Sequence, residues 1–307
     1  MTSELPPDRT DQPSATGRWM VVTLVAIPTL LTLFVMLGIL GSGAGAAVLH
    51  FPTLLVDNTP TGGDIGAHVL MPQIIRHVLL PSGLIAGWSD AWFAGFPAMY
   101  FYFPLPMTTA VLLGLVLPTG IALKIVISAG VVVLPLVTYF FVRWMGFARL
   151  VAAVAASGSA AFVFMESYDI FGGNIKSTLT GEFSFSWSVA LGILYLGLLA
   201  RDMKNGSRFT VWPGVVLALV TLSHVVTTIV VVAIAFPWLF RRRTVRTVAG
   251  SWLLGFGLSA FWSVPFLVGV LRSMTTDMRW TPVTGLLGSE GAVPGDLIPA
   301  LVLGTIG

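Results

Sequence analysis

Residues 19 to 43 run without a charge, and similar charge-poor segments recur at about 120–142, 149–165, 185–200, 209–222, 225–240 and 247–271. A helix needs about 20 apolar residues to cross the roughly 30 Å hydrocarbon core of a bilayer. So many runs of that kind exclude a water-soluble core and make lipid the solvent for which this chain is built. The expectation is an all-α polytopic membrane protein of about seven transmembrane helices. Composition agrees, with 56% hydrophobic and 9% charged residues in 307 and a mean hydropathy of +0.91.

Residues 1–18, polar and proline-rich, read as a disordered cytoplasmic leader. Residues 19–271 read as one transmembrane domain, and 272–307 as an outer loop followed by the start of a further helix that is cut short. The first apolar run exceeds the 7 to 15 residues of a signal-peptide core, so it reads as an uncleaved anchor. The stretch 105–117 is too short to span and is closed by Pro118 and Gly120, which suits a helix lying in the interface or re-entering. With the N-terminus cytoplasmic, Arg9, Arg18, Arg143, Arg149, Arg201, Lys204, Arg208, Arg241, Arg242, Arg243 and Arg246 fall inside, as the positive-inside rule asks. The same threading puts His50, His68, His77 and His224 outside, together with Asp57, Asp64, Asp90, Glu166, Asp169, Glu182, Asp277, Glu290 and Asp296. Any chemistry therefore faces outward, across outer loops at about 44–119 and 166–184, and the plasma (inner) membrane is the expected location.

The first outer loop contains TGGDIGAH, residues 61–68. A helix starting near Asp64 puts Asp64 and His68 one turn apart on the same side. Ala67, Leu70, Met71, Ile74 and Val78 then form an apolar stripe, with Asp64, His68 and Arg76 on another, and Pro72 is placed to kink it. Two roles fit. Asp64 is a general base or acidic metal ligand assisted by His68, or it is a helix cap followed by a solvated histidine.

Residues 87–106, GWSDAWFAGFPAMYFYFPLP, crowd eight aromatic rings into one stretch, including Trp88, Trp92, Tyr100 and Tyr102. They suit the headgroup layer and equally the floor of a site for a lipid-linked sugar. The second outer loop carries Glu166, Asp169, Asn174, Lys176 and Glu182. Glu182 opens an apolar helix, where it either complements the helix dipole or serves a site. His224 marks a tight turn between two short apolar helices, as a polar cap or a functional group. Cysteine is absent, which removes disulfides and thiolate chemistry. No phosphate-binding loop, dinucleotide fingerprint or zinc-protease motif occurs. Arg241 to Arg243 suit an anchor at an anionic leaflet, and nucleic-acid binding has no support.

The order of features (anchor helix, outer loop with an early Asp, a helix opening PLP at 104–106, and a span ending TYFFVRWMGFAR) resembles the front of the GT-C glycosyltransferase superfamily. GGDIGAH, the aromatic stretch, GGNIKSTLTGEFSFS and TLSHV also resemble bacterial and archaeal membrane proteins labelled "6-pyruvoyl-tetrahydropterin synthase related", a label that names no demonstrated pterin chemistry. The GT-C resemblance implies transfer of a sugar from a polyprenyl-phosphate donor to a cell-envelope acceptor on the outer face. It places Asp64 at the catalytic centre with His68 beside it, and makes Trp88, Trp92, Tyr100, Tyr102, Asn174, Lys176 and His224 candidate substrate contacts. A divalent cation, Mg or Mn, would find candidate ligands in Asp64, Glu182 and Asp169. The chain departs from the pattern in lacking a second acid directly after Asp64, where Gly66 and Ala67 follow. A transporter or flippase for envelope lipids, and a non-catalytic envelope-assembly protein, are the alternatives.

Overall fold

The computed structural model describes residues 15–37, 40–43, 46–49, 53–167, 170, 172–206, 210–273, 298–299 and 302. His50, Asp169, Arg208, Asp277, Arg279, Glu290 and Asp296 lie outside them, as do the first 14 residues of the leader and most of the stretch after Ser273.

Each apolar run forms a helix. They are α1 (Ala15–Met36), α4 (Thr119–Met145), α5 (Arg149–Val163), α7 (Phe183–Lys204), α8 (Val211–Ser223), α9 (Val225–Ala235) and α10 (Val245–Ser273). Between α1 and α4 lie α2 (Ile65–Ile74) and α3 (Pro104–Leu113), and before α7 a single turn, α6 (Ile175–Ser177). Two small antiparallel pairs join them, β1 (Leu40–Gly43) with β2 (Ala46–Leu49) and β3 (Gly87–Ser89) with β4 (Phe96–Ala98). Four stretches, Ala15–Met36, Thr119–Met145, Ile175–Lys204 and Val245–Leu271, are long and apolar enough to cross a membrane. The helices α5, α8 and α9 are apolar but shorter.

The first helix stops sooner than its apolar run. It ends at Met36 instead of 43, because the glycine-rich segment that follows, the least helix-prone part of the run, pairs as the β1–β2 hairpin.

Small residues set the helix packing. The α4–α7 pair is the most extensive contact of the fold, and Gly130 lies so close to α7 that an added Cβ would stand 2.5 Å from the Ser186 carbonyl carbon. Trp187 Nε1 donates to the Val126 carbonyl at 2.7 Å beside it, while farther along Gly197 abuts Phe141 and Trp144. These helices therefore run in the same direction. Likewise Ser188 bonds Thr227 at 2.6 Å and Gly192 packs on Val231, so α9 runs parallel to α7. Gly214 meets Leu254 on α10, Gly255 meets Leu217 on α8, and the ring of Phe103 touches both His224 and Trp262, so α8 and α10 are parallel too.

Directions that alternate in this way sort the turns to two ends. Arg143, Arg149, Arg201, Lys204, Arg241, Arg242, Arg243 and Arg246 gather at one, the basic end. There Asp202 is buried, accepts from Thr210 Oγ1, and pairs with Arg201 at 3.2 Å, whose guanidinium lies 5.5 Å from the Trp144 ring centroid. Asp64, His68, Glu182 and His224 gather at the other. At that end Lys124 Nζ donates to the carbonyls of Thr53 and Val56 and to Asn58 Oδ1, at 2.5–2.7 Å, and so ties the segment leading to Asp64 onto α4.

Candidate active site

Gly62 and Gly63, both at positive φ, turn the chain into α2, and the close fit explains why glycine stands there. A Cβ on Gly63 would come within 2.1 Å of the Thr180 carbonyl oxygen. Opposite, Gly181 has φ +127, and its own Cβ would meet Asp64 Cβ at 3.0 Å and His68 Nε2 at 3.3 Å. The Asp64 amide donates to the Thr180 carbonyl at 2.7 Å. Two loops separated by more than a hundred residues thus interlock through glycine on both sides.

Asp64 occupies the N-cap position of α2, yet its side chain makes no capping bond and stays exposed. Its carboxylate is left for the pocket, while its backbone holds the second loop. Glu182 stands likewise at the N-cap of α7 with no capping bond, and is half-buried.

His68 corrects an expectation. A solvated histidine on an outward stripe was one reading of the sequence, but the residue is 6% exposed, with its ring 4.9 Å from Tyr102 and 5.0 Å from Phe183. The expected apolar stripe is also shifted at its far end, where Val78 is exposed and Ile75 and Leu79 are buried. The cause is Pro72. Lacking an N–H, it disturbs the regular ladder, and the chain continues as a π-helical turn over Ile75–Leu79 that advances the inward face by one residue.

The Tyr102 hydroxyl contacts His68 Nε2 at 3.2 Å and accepts from Ser184 Oγ at 3.4 Å. Burial pushes the Tyr102 phenol well above its ordinary range; the Ser184 hydrogen bond opposes this, and the charges of Glu182 and Asp64 add to it. It stays a protonated donor. Burial lowers His68 from 6.5 to about 4, outweighing the Asp64 charge and a backbone hydrogen bond at Gly181, so the imidazole is neutral at pH 7. Its Nδ1 is buried without a hydrogen-bond partner.

These groups line a cavity of about 440 Å³, walled by Asp64, Ala67, His68, Met71, Trp92, Phe96, Met99 and Tyr102, among others. Its size is that of a small-molecule site. A neutral imidazole, a phenol and an exposed carboxylate meet in it, with a second carboxylate close enough to act on the phenol. Such a set can accept a proton from a bound hydroxyl and hydrogen-bond a sugar.

Other sequence candidates lie elsewhere. Trp88 is 63% exposed, with Nε1 donating to Asp90 at 2.8 Å, and Tyr100 is on the surface. Asn174 is fully buried and occupied as a cap, Oδ1 accepting from the Ser177 amide and Nδ2 donating to the Ser167 carbonyl. Lys176 is exposed on α6. His224 is half-buried outside the pocket lining, its ring 4.3 Å from Phe103 and 5.1 Å from Phe185. Among the described residues no three His, Cys, Asp or Glu side chains stand together as a metal site. Asp64 and Glu182 alone would be an incomplete ligand set, and Asp169 is not among the described residues.

Three contributors escaped the sequence reading. Ser184 reaches the Tyr102 hydroxyl, Gly181 admits Asp64 and His68, and Trp262 Nε1 donates at 2.8 Å to the carbonyl of Met99, which is held at φ +62 in the pocket wall. The alternation of serines in FSFSWS was the available signal for Ser184, because hydroxyls at the start of an apolar helix need partners.

No known family model, curated protein or solved structure matches this chain.

Proposed function

We propose that the chain is a membrane-embedded glycosyltransferase of the GT-C type, moving a sugar from a polyprenyl-phosphate donor to a cell-envelope acceptor. The observation that carries this reading is the meeting of Asp64, His68 and Tyr102 in one aromatic-walled pocket at the end of the bundle away from the basic turns, with the Glu182 charge felt at Tyr102.

In this reading all seven apolar helices span the inner membrane. The three short helices, of 11, 13 and 15 residues, measure about 17–23 Å at 1.5 Å per residue, so their flanking turns or a thinned bilayer complete the crossing. The basic end and the N-terminus are cytoplasmic and the pocket opens on the outer face, in keeping with the arginine-rich turns. A lipid-linked donor keeps its chain in the bilayer, so a polar pocket at the helix ends is where its head would react.

Asp64 takes the proton from the acceptor hydroxyl as that oxygen bonds the sugar's anomeric carbon. The bond from that carbon to the phosphate oxygen breaks, and polyprenyl phosphate leaves with the electron pair. Tyr102 and neutral His68 hold sugar hydroxyls, and Trp92 offers a ring face to sugar C–H groups. Glu182 adds a second negative charge beside Tyr102. Asp64 and Glu182 are the described residues that would hold a divalent cation, which would supply positive charge to offset the negative charge of the leaving phosphate.

The test is rescue of an envelope-glycan defect by Asp64→Asn in the full-length protein, with membrane level measured in parallel. Loss of rescue at a normal level supports the reading, and rescue equal to the parent protein refutes it.

A further inference from the structure

A larger cavity lies elsewhere. A groove of about 720 Å³ runs between α9 and α10, with Val225, Ile229 and Val232 on one wall and Phe256, Trp262 and Leu267 on the other. From Val225 to Phe236 and from Phe256 to Val268 it follows the two helices for about 16–18 Å at 1.5 Å per residue. That is about half the roughly 30 Å hydrocarbon core, the depth of one leaflet. Ile229 and Leu267 are 62% and 55% exposed, so the groove opens sideways, toward the medium that the helix pair faces. One side chain links the two cavities. Trp262 walls the groove, and its indole N–H holds the Met99 carbonyl of the polar pocket; Phe103 touches the Trp262 and His224 rings at 5.8 and 4.3 Å.

We infer that the α9–α10 groove binds one acyl chain of a bilayer lipid from the leaflet on the pocket's side, and that Trp262 transmits its occupancy to the Asp64 pocket. This rests on the chain's being a membrane protein and not on glycosyl transfer. The chain's length matches a leaflet-deep slot, and its lateral entry needs no opening of the bundle. Met99 lies in the left-handed region, a strained conformation for a residue with a side chain that persists only while neighbours impose it. The Trp262 bond is one of those constraints. A chain that presses Trp262 into place favours the Met99 conformation that shapes the pocket wall, and an empty or overfilled groove relaxes it.

The test uses the full chain labelled with 5-fluorotryptophan in phosphatidylglycerol nanodiscs, with the Trp262 and Trp92 resonances assigned by Trp→Phe variants. Lipid carrying a nitroxide on its acyl chain should broaden Trp262 severalfold more than Trp187, which is packed on α4. Exchange of linear for methyl-branched chains should shift Trp262 and Trp92 together. Trp262→Phe should abolish the Trp92 shift. Ala233→Trp, which fills the groove and leaves the Met99 bond in place, should remove the chain response of both resonances, and it serves alone if Trp262→Phe does not fold. An unbroadened Trp262, or a Trp92 shift that persists in either variant, overturns the inference. So does release of the nitroxide from Trp262 by farnesyl phosphate, which would assign the groove to an isoprenoid chain.

Discussion

The backbone amide of Asp64 donates to the carbonyl of Thr180, two residues before Glu182. That bond fixes the acid of the first long loop against the loop that carries the second acid, and neither is free to move without the other. The pocket is therefore a product of two segments with no sequence proximity, joined where Gly63 and Gly181 leave out the Cβ atoms that would clash.

Gly63→Ala should damage this joint. Its Cβ would fall 2.1 Å from the Thr180 oxygen at a φ of +48, and strain of this type costs about 1–3 kcal/mol before the clash is counted. Gly66→Ala, on the exposed side of α2 with nothing within 4 Å, should instead stabilise the helix by up to about 1 kcal/mol. Thermal unfolding of both variants in detergent distinguishes them; equal effects would contradict the interlocked loops.

Stability should fall as pH drops from 6.5 toward 4 because of His68. Its folded value of about 4 lies below the ordinary 6.5, so the unfolded chain binds the proton more readily in that window and stability is lost as pH falls. His68→Gln should flatten the difference between pH 7 and pH 4.5, as read by chemical denaturation relative to the parent protein.

Gly130→Ala should loosen the α4–α7 pair. The new methyl would sit 2.5 Å from backbone atoms of Ser186, and overpacking of this kind costs about 1–3 kcal/mol. A lowered Tm with proportional loss of the folded fraction is the expected result.

Asp202→Ala should destabilise by about 1–3 kcal/mol, a figure reduced because Arg201 remains partly exposed, since it strips Thr210 and Arg201 of their shared acceptor. It lies at the opposite end from Asp64, so activity per folded molecule should be unchanged.

Much of the helical framework was legible because an apolar run has few alternatives in lipid. Charge placement was legible for the same reason, as Arg143, Arg201 and Arg241 mark turns at one end. Helix ends were less so. The stop at Met36 depends on a hairpin that no periodicity announces, and the shifted inward face of Val78 and Leu79 depends on how the chain absorbs Pro72. Asp64, His68 and Glu182 stood out as ionisable groups in a chain with few. Their meeting did not, because it is carried by Gly63, Gly181 and Ser184, whose roles exist only in the packed structure. Asn174 attracted notice for its polarity and turned out to be spent on capping, where a buried amide is satisfied locally.

The most direct measurement is sugar transfer from a labelled polyprenyl-phosphate donor in proteoliposomes, comparing the full-length protein with Asp64→Asn at equal reconstitution. The account predicts donor consumption by the parent and a loss of at least about 100-fold in the variant, as expected when a positioned base is removed. Equal consumption by both, or none by either across a panel of donors, would contradict it.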